Sequence, residues 1–240
     1  MCLFRFARIY PHRHASPRGE SPPADGSGGA PSVVRLLLIR HGATDWTAQG
    51  RFQGQTDVPL NAAGRRQVAA LAQRLRAEPL QALYASDLQR AWETAQAIAA
   101  PQGMGVQAEP RLREIGFGAW EGYTYAELQQ RHPAALAAWE HDPLHSAPPG
   151  GETLLQITAR VQAAYTAILT AHAEHTVGLV AHGGPLQLLL CLALGVSPRA
   201  YWQFALAPAS LSELCVYTHG AILTHLNDTH HMHDLGCRKF

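Results

Sequence analysis

The chain is 240 residues long, 47% hydrophobic, with a formal net charge of +1. A chain of this length buries about 70–75% of its unfolded surface and needs no disulfide or metal staple to fold. Its near balance of 19 basic and 18 acidic residues argues against a nucleic-acid binder or a polyanion-seeking surface.

Taken in order, residues 1–32 predict a disordered N-terminal tail. From Ser16 to Ser32, twelve of seventeen residues are Ser, Pro or Gly, too little apolar surface to offset the entropy of ordering. Residues 33–240 predict a single domain. The apolar run 33–39 reads as a central strand buried on both faces. Asn61 offers an N-cap to a helix carrying Val68, Leu71 and Leu75 on one face. A short strand at 82–86 follows, then a helix capped by Ser86 or Asp87 and bearing Leu88, Trp92, Ala95 and Ile98. A loop-rich middle contains a helix at 124–131 and a Pro/Gly-punctuated loop from Pro143 to Gly151. Beyond it come a long amphipathic helix at 153–172, a strand at 177–181, a helix at 184–194 and strands near 211–217 and 221–226. Alternating strands and helices predict a three-layer α/β/α sandwich on a mostly parallel central sheet.

In open α/β sheets ligands bind beyond the carboxyl ends of the strands. Arg40-His41-Gly42 follows the first strand, Ser86 to Arg90 the second, and His182-Gly183-Gly184 the late one. Two histidines and two arginines thus converge from distant parts of the chain. Because 18 of the 19 cations are Arg, with Lys239 the single lysine, an anion site here is built from guanidinium groups, which grip phosphate bidentately. A neutral imidazole beside them is a nucleophile for phosphoryl transfer. No G-x-G-x-x-G follows a strand and no G-x-x-x-x-G-K-[ST] occurs, which argues against dinucleotide and P-loop chemistry.

Six segments then carry a resemblance. They are LIRHGATDW (38–46), GRFQGQTDVPLN (50–61), SDLQRAWETA (86–95), LREIGFGAWEG (112–122), GGET (150–153) and AHGG (181–184). In this order they resemble the signatures of the histidine phosphatase superfamily, which includes the cofactor-dependent phosphoglycerate mutases. The resemblance implies a phosphoglycerate mutase-like fold and a metal-independent phosphomonoesterase of the histidine acid phosphatase type. It makes His41 the residue phosphorylated in turnover, Arg40 and Arg90 the clamp on the phosphoryl oxygens, His182 a donor to the same group and Glu114 the proton donor. Thr47, which replaces a common Asn, together with Gln53, Gly54 and Gly183 would complete the phosphate site and its entrance. Only 67 residues separate Glu114 from His182, and this short span, Gln53-Gly54 and Gly183-Gly184 resemble the phosphatase branch. The alternatives are mutase-type phosphoryl transfer and an α-ribazole phosphatase in cobalamin synthesis.

The implied partner is a small phosphomonoester, bound by a cytoplasmic monomer or homodimer without nucleic acid or membrane. No cofactor and no metal are expected. His230, His231 and His233 lack the i, i+4 spacing of a helical zinc pair, and Cys2, Cys191, Cys215 and Cys237 form no C-x-x-C. The aromatic segment 120–150 (Tyr123, Tyr125, Trp139, His141, His145) is expected to cover the leaving group.

Overall fold

The computed structural model describes residues 33–235. The predicted tail 1–32, Cys2 and Cys237 lie outside them.

Strand β1 (Val34–Arg40) is buried on both sides and separates two cores by simple alternation. Leu36 and Leu38 face α6 (Leu154–Ala171) and α7 (Gly183–Leu194), where they meet Ile157, Val161 and Leu186. Leu37 and Ile39 face α2 (Ala62–Leu75) and α3 (Gln89–Ala99), packing with Leu71, Leu75 and Ile98. Burying each such side chain is worth about 1.5–3 kcal/mol, so slipping the strand by one residue would exchange the two cores at large cost.

Six strands form the sheet in the order β3-β2-β4-β1-β5-β6. Strands β1, β2 (Ala82–Ala85), β3 (Gln107–Ala108) and β4 (Thr176–Ala181) run parallel. Strand β5 (Leu211–Tyr217) pairs antiparallel with β1, and β6 (Gly220–Asp228) antiparallel with β5. The sheet is therefore mixed, with three parallel and two antiparallel pairings. The two terminal strands follow one another across a tight turn, which only an antiparallel pair permits.

Helix α2 is capped as the sequence predicts, Asn61 Oδ1 accepting from the Gly64 N–H at 2.8 Å. Helix α3 is not. Its N-cap is Leu88, with no side-chain cap, while Asp87 pairs with Arg113 and Ser86 turns into the site. Three elements had no clear periodic signal: α1 (Asp45–Ala48), β3 and α5 (Pro133–His141). Helix α4 (Tyr125–Arg131) matches the prediction, Thr124 and Glu127 forming a capping box.

The middle segment is a small core of its own. Trp120, Leu128 and Leu136 are buried among Phe52, Phe117, Tyr123 and Trp139. The aromatic content expected to cover a leaving group is thus largely spent on packing. No helix among the described residues is long and apolar enough to cross a membrane. His230, His231 and His233 lie in a 3-10 turn after β6, and at the end of that strand Asn227 Oδ1 accepts from the Ala207 N–H at 2.6 Å.

Candidate active site

Sheet register brings the two histidines together. Arg40 at the end of β1 pairs with Ala181 at the end of β4, so His41 and His182 step off adjacent parallel strands at the same level. Their ring centroids are 5.0 Å apart and both side chains are buried. Strand β2 lies on the other side of β4 and delivers Ser86, and the first turn of α3 delivers the fully buried Arg90. A 3-10 turn at Pro110–Leu112 leads to Glu114.

An imidazole that attacks through one nitrogen needs the other held as a donor, and at His41 the neighbouring carbonyl holds it. The His41 Nδ1–H donates to the Gly42 oxygen at 2.7 Å, which leaves the Nε2 lone pair available. Burial, with the Arg90 and Arg40 charges adding to it, holds the His41 imidazole well below its ordinary pKa. His182 is lowered in the same way by burial, then by Arg90, His41 and Arg40. Both rings are therefore neutral near pH 7. The Ser86 hydroxyl lies 2.8 Å from His182 Nε2 and its oxygen accepts from the Leu88 N–H; a hydroxyl proton directed at Nε2 places the His182 proton on Nδ1.

Both arginines are anchored by backbone carbonyls rather than carboxylates. Arg90 donates from Nη1 to the Thr56 oxygen at 2.9 Å and from Nη2 to the Gly54 oxygen at 2.7 Å, and Arg40 Nη1 donates to the Leu206 oxygen. Burial lowers the pKa of each guanidinium, and Glu114 opposes that shift. Arg40 Nε, Arg90 Nε and His182 Nδ1 are buried and have no hydrogen-bond partner within the protein. An unmet buried donor costs about 1–3 kcal/mol, more when it is charged. Three of them around a neutral imidazole make a seat for an anion.

Glu114 is held on one oxygen. Its Oε1 accepts from its own neighbour, the Ile115 N–H, at 2.9 Å and from the Gly184 N–H at 3.1 Å. Gly183 lies between the other oxygen and Arg40: a Cβ there would be 3.9 Å from Glu114 Oε2 and 3.7 Å from the Arg40 guanidinium carbon. At Gly184 a Cβ would fall 2.5 Å from Glu114 Oε1, so only glycine lets the first turn of α7 approach the carboxylate. Behind Glu114, Arg160 donates to its carbonyl at 2.8 Å and to those of Arg111 and Arg113, and is itself bound by Glu152. Arg113 turns away to Asp87, which leaves Glu114 free of it.

The remaining sequence candidates fall into two groups. Thr47 and Gln53 line a cavity of about 300 Å³ that opens beside Arg40 and Glu114. The Thr47 hydroxyl accepts from the Thr44 N–H at 2.8 Å, closing the α1 capping box, and donates to the Thr44 carbonyl at 2.8 Å, so its proton is already committed. Gln53 Oε1 accepts from the Thr44 hydroxyl at 2.8 Å, which leaves its Nε2 to donate. Gly54 acts indirectly, because its carbonyl orients Arg90. At φ +54° a Cβ there would lie 1.9 Å from Glu121 Oε1. Glu121 in turn accepts from the Gln55, Thr56 and Phe117 N–H groups and locks the loop whose carbonyls hold Arg90. Ser86, Glu121, Glu152 and Arg160 carry no motif-free signal of these roles. They are ordinary polar residues until the fold sets them behind the site.

Two neutral buried imidazoles have a cost that depends on pH. Below about pH 6.5 the unfolded chain protonates both rings while the folded chain keeps them neutral. Folding stability is therefore full above that pH and lost as pH falls, by up to about 1.4 kcal/mol per ring per pH unit. The melting temperature should drop between pH 6.5 and 5, and drop less in His41→Asn/His182→Asn. Parallel melting curves against pH for the two proteins check this, and equal slopes refute it.

Comparison with known proteins agrees with the geometry. The chain is 32% identical over 200 residues to phosphoserine phosphatase 1 of Hydrogenobacter thermophilus, covering 83% of this chain and 95% of that one. It is 37% identical over 177 residues to a glucosyl-3-phosphoglycerate phosphatase of Mycobacterium tuberculosis, covering 70% and 78%. Among solved structures, the α-ribazole phosphatase of Shigella flexneri superposes with a TM-score of 0.76 at 29% identity, over 81% of this chain and 96% of that one. The family model of the histidine phosphatase superfamily, branch 1, matches residues 36–229, nearly the whole described fold with every strand-end residue above, and the chain belongs to that family.

Proposed function

We propose that the protein is a phosphomonoester hydrolase that works without a metal, through a phosphohistidine at His41. The observation that carries this reading is the set of three unpartnered buried donors, Arg40 Nε, Arg90 Nε and His182 Nδ1, around an imidazole whose Nε2 is kept unprotonated. Phosphoryl transfer needs positioning and charge stabilisation above all, and two guanidiniums and an N–H supply the positive field that a cation supplies elsewhere.

In the first step His41 Nε2 attacks phosphorus and the bond from phosphorus to the alcohol oxygen breaks. An alkoxide is too basic to leave unaided, so Glu114 gives that oxygen its proton from Oε2, the oxygen not engaged by backbone donors. In the second step a water attacks the phosphorus of phospho-His41, Glu114 takes the water's proton, and the N–P bond breaks. Inorganic phosphate leaves, with His41 and Glu114 restored. All three relatives named above are called phosphatases, which favours water over a second phosphoglycerate as acceptor.

The test is to mix the enzyme with benzyl phosphate in excess chelator, quench it in base, and map the label. Phosphate release that survives the chelator, with an acid-labile, base-stable phosphoryl group on His41, is expected. Release abolished by the chelator, or a label elsewhere, would overturn the reading.

A further inference from the structure

Beyond the phosphate seat, the cavity carries one more cation, Arg51, and a carboxylate already balances its charge. Arg51 lines the mouth with Phe52, Phe117 and Pro208. Its Nε donates to Gln49 Oε1 at 2.8 Å, and its Nη1 donates to the Gly122 carbonyl at 2.6 Å and to Glu127 Oε2 at 2.9 Å. Glu127 is held for this task by the capping box of α4, whose Thr124 N–H donates to the same Oε2 at 2.7 Å. The other ionisable group on the cavity wall, apart from Arg40 in the phosphate seat, is the Glu114 carboxyl. Across from these charges Phe52 and Phe117 meet edge to face, with centroids 4.8 Å apart, and both rest on the Trp120 core. They form a rigid apolar wall.

We propose that the Arg51–Glu127 pair is a specificity determinant. It neutralises the mouth, so that the enzyme prefers phosphomonoesters of uncharged alcohols with an apolar face over esters whose alcohol carries a second anion. The inference rests on the phosphatase reading of the same site. A carboxylate on the leaving group would meet a guanidinium whose charge Glu127 already balances, with the Glu114 carboxyl nearby, and an anion without a counter-charge in a partly desolvated cavity is costly. An uncharged aromatic alcohol instead covers Phe52 and Phe117 and disturbs no ion pair.

Benzyl phosphate and 3-phosphoglycerate are suitable probes, since both release aliphatic alcohols and differ in charge and apolar surface. The wild type should show kcat/KM for benzyl phosphate about a hundredfold above that for 3-phosphoglycerate, two charge-assisted contacts' worth of discrimination. Glu127→Gln keeps a capping side chain and frees Arg51, and should shift the ratio about tenfold toward 3-phosphoglycerate. Adding Arg51→Gln to that variant should remove the gain. Because each ratio is taken on one protein sample, partial unfolding cancels. Equal kcat/KM values in the wild type, or a ratio unmoved by Glu127→Gln, would overturn the proposal while leaving the hydrolase reading intact. Failure to release phosphate from either ester would overturn both.

Discussion

His41→Ala is expected to lower kcat for phosphate release by about 10⁴-fold or more, because removing a covalent nucleophile leaves only direct attack by water on a bound ester. The cage that binds the phosphoryl group does not depend on the His41 ring. Arg40 is anchored on the Leu206 carbonyl, Arg90 on the Gly54 and Thr56 carbonyls, and His182 on Ser86. The variant should therefore still bind inorganic phosphate, with a dissociation constant close to that of the wild type, while forming no phosphoenzyme. Calorimetric titration with phosphate beside a single-turnover labelling experiment checks both halves. Loss of phosphate binding together with turnover would mean that His41 builds the cage rather than attacks within it, and turnover retained within tenfold would exclude His41 as nucleophile.

Glu114→Gln should separate substrates by their leaving group. Glutamine preserves the oxygen that accepts from the Ile115 and Gly184 N–H groups, and so preserves the local geometry. It has no proton to give an alkoxide. Phosphorylation of His41 by benzyl phosphate should slow by about 10²- to 10⁴-fold, the usual worth of a general acid. Phosphorylation by 4-nitrophenyl phosphate, whose phenolate leaves unaided, should slow by less than about tenfold on the same reasoning. The second step also loses its base. Rapid mixing with the nitrophenyl ester should then show a burst of one equivalent of nitrophenolate, followed by slow turnover. An equal loss for both esters in the burst phase would argue that Glu114 positions the site rather than donating a proton.

The alternating architecture and the strand-end residues were legible because each depends on local information. Runs such as 34–40 and 176–181 are too apolar to lie anywhere but the centre of a sheet, and the residue after a central strand is bound to face the crevice. What the sequence hides is how the polar partners are distributed. Ser86 and Asp87 are both good caps for α3, and nothing local tells that one is taken by His182 and the other by Arg113. The aromatic residues of 120–150 look equally suited to a cover or to a core. Trp120 settles in a core because Phe52 and Trp139 reach it from two other segments. Helix α5 lacks the polar face that marks amphipathic periodicity, its residues PAALAAW being apolar almost throughout. The Thr47 hydroxyl was an eligible phosphate donor by chemistry alone. Its own helix turn claims it first.

The Arg40–Ala181 pairing in the sheet works as a vernier for the whole family of reactions this scaffold could host. Arg40, His41 and His182 hang from strand ends whose spacing is set by backbone hydrogen bonds, so one residue inserted in β1 or β4 would swing a histidine to the opposite face. The leaving-group side is built instead from the 47–54 loop, the 114–127 segment and Pro208, which lie outside the six-stranded sheet and are joined to each other by a single β-bridge between Arg51 and Thr124. Side chains such as Phe52, Phe117 and Pro208 can change there without moving Glu114 or Gly54, whose carbonyl holds Arg90. A scaffold divided in this way can change its diet by loop substitution alone, keeping one unaltered way of breaking a phosphate ester.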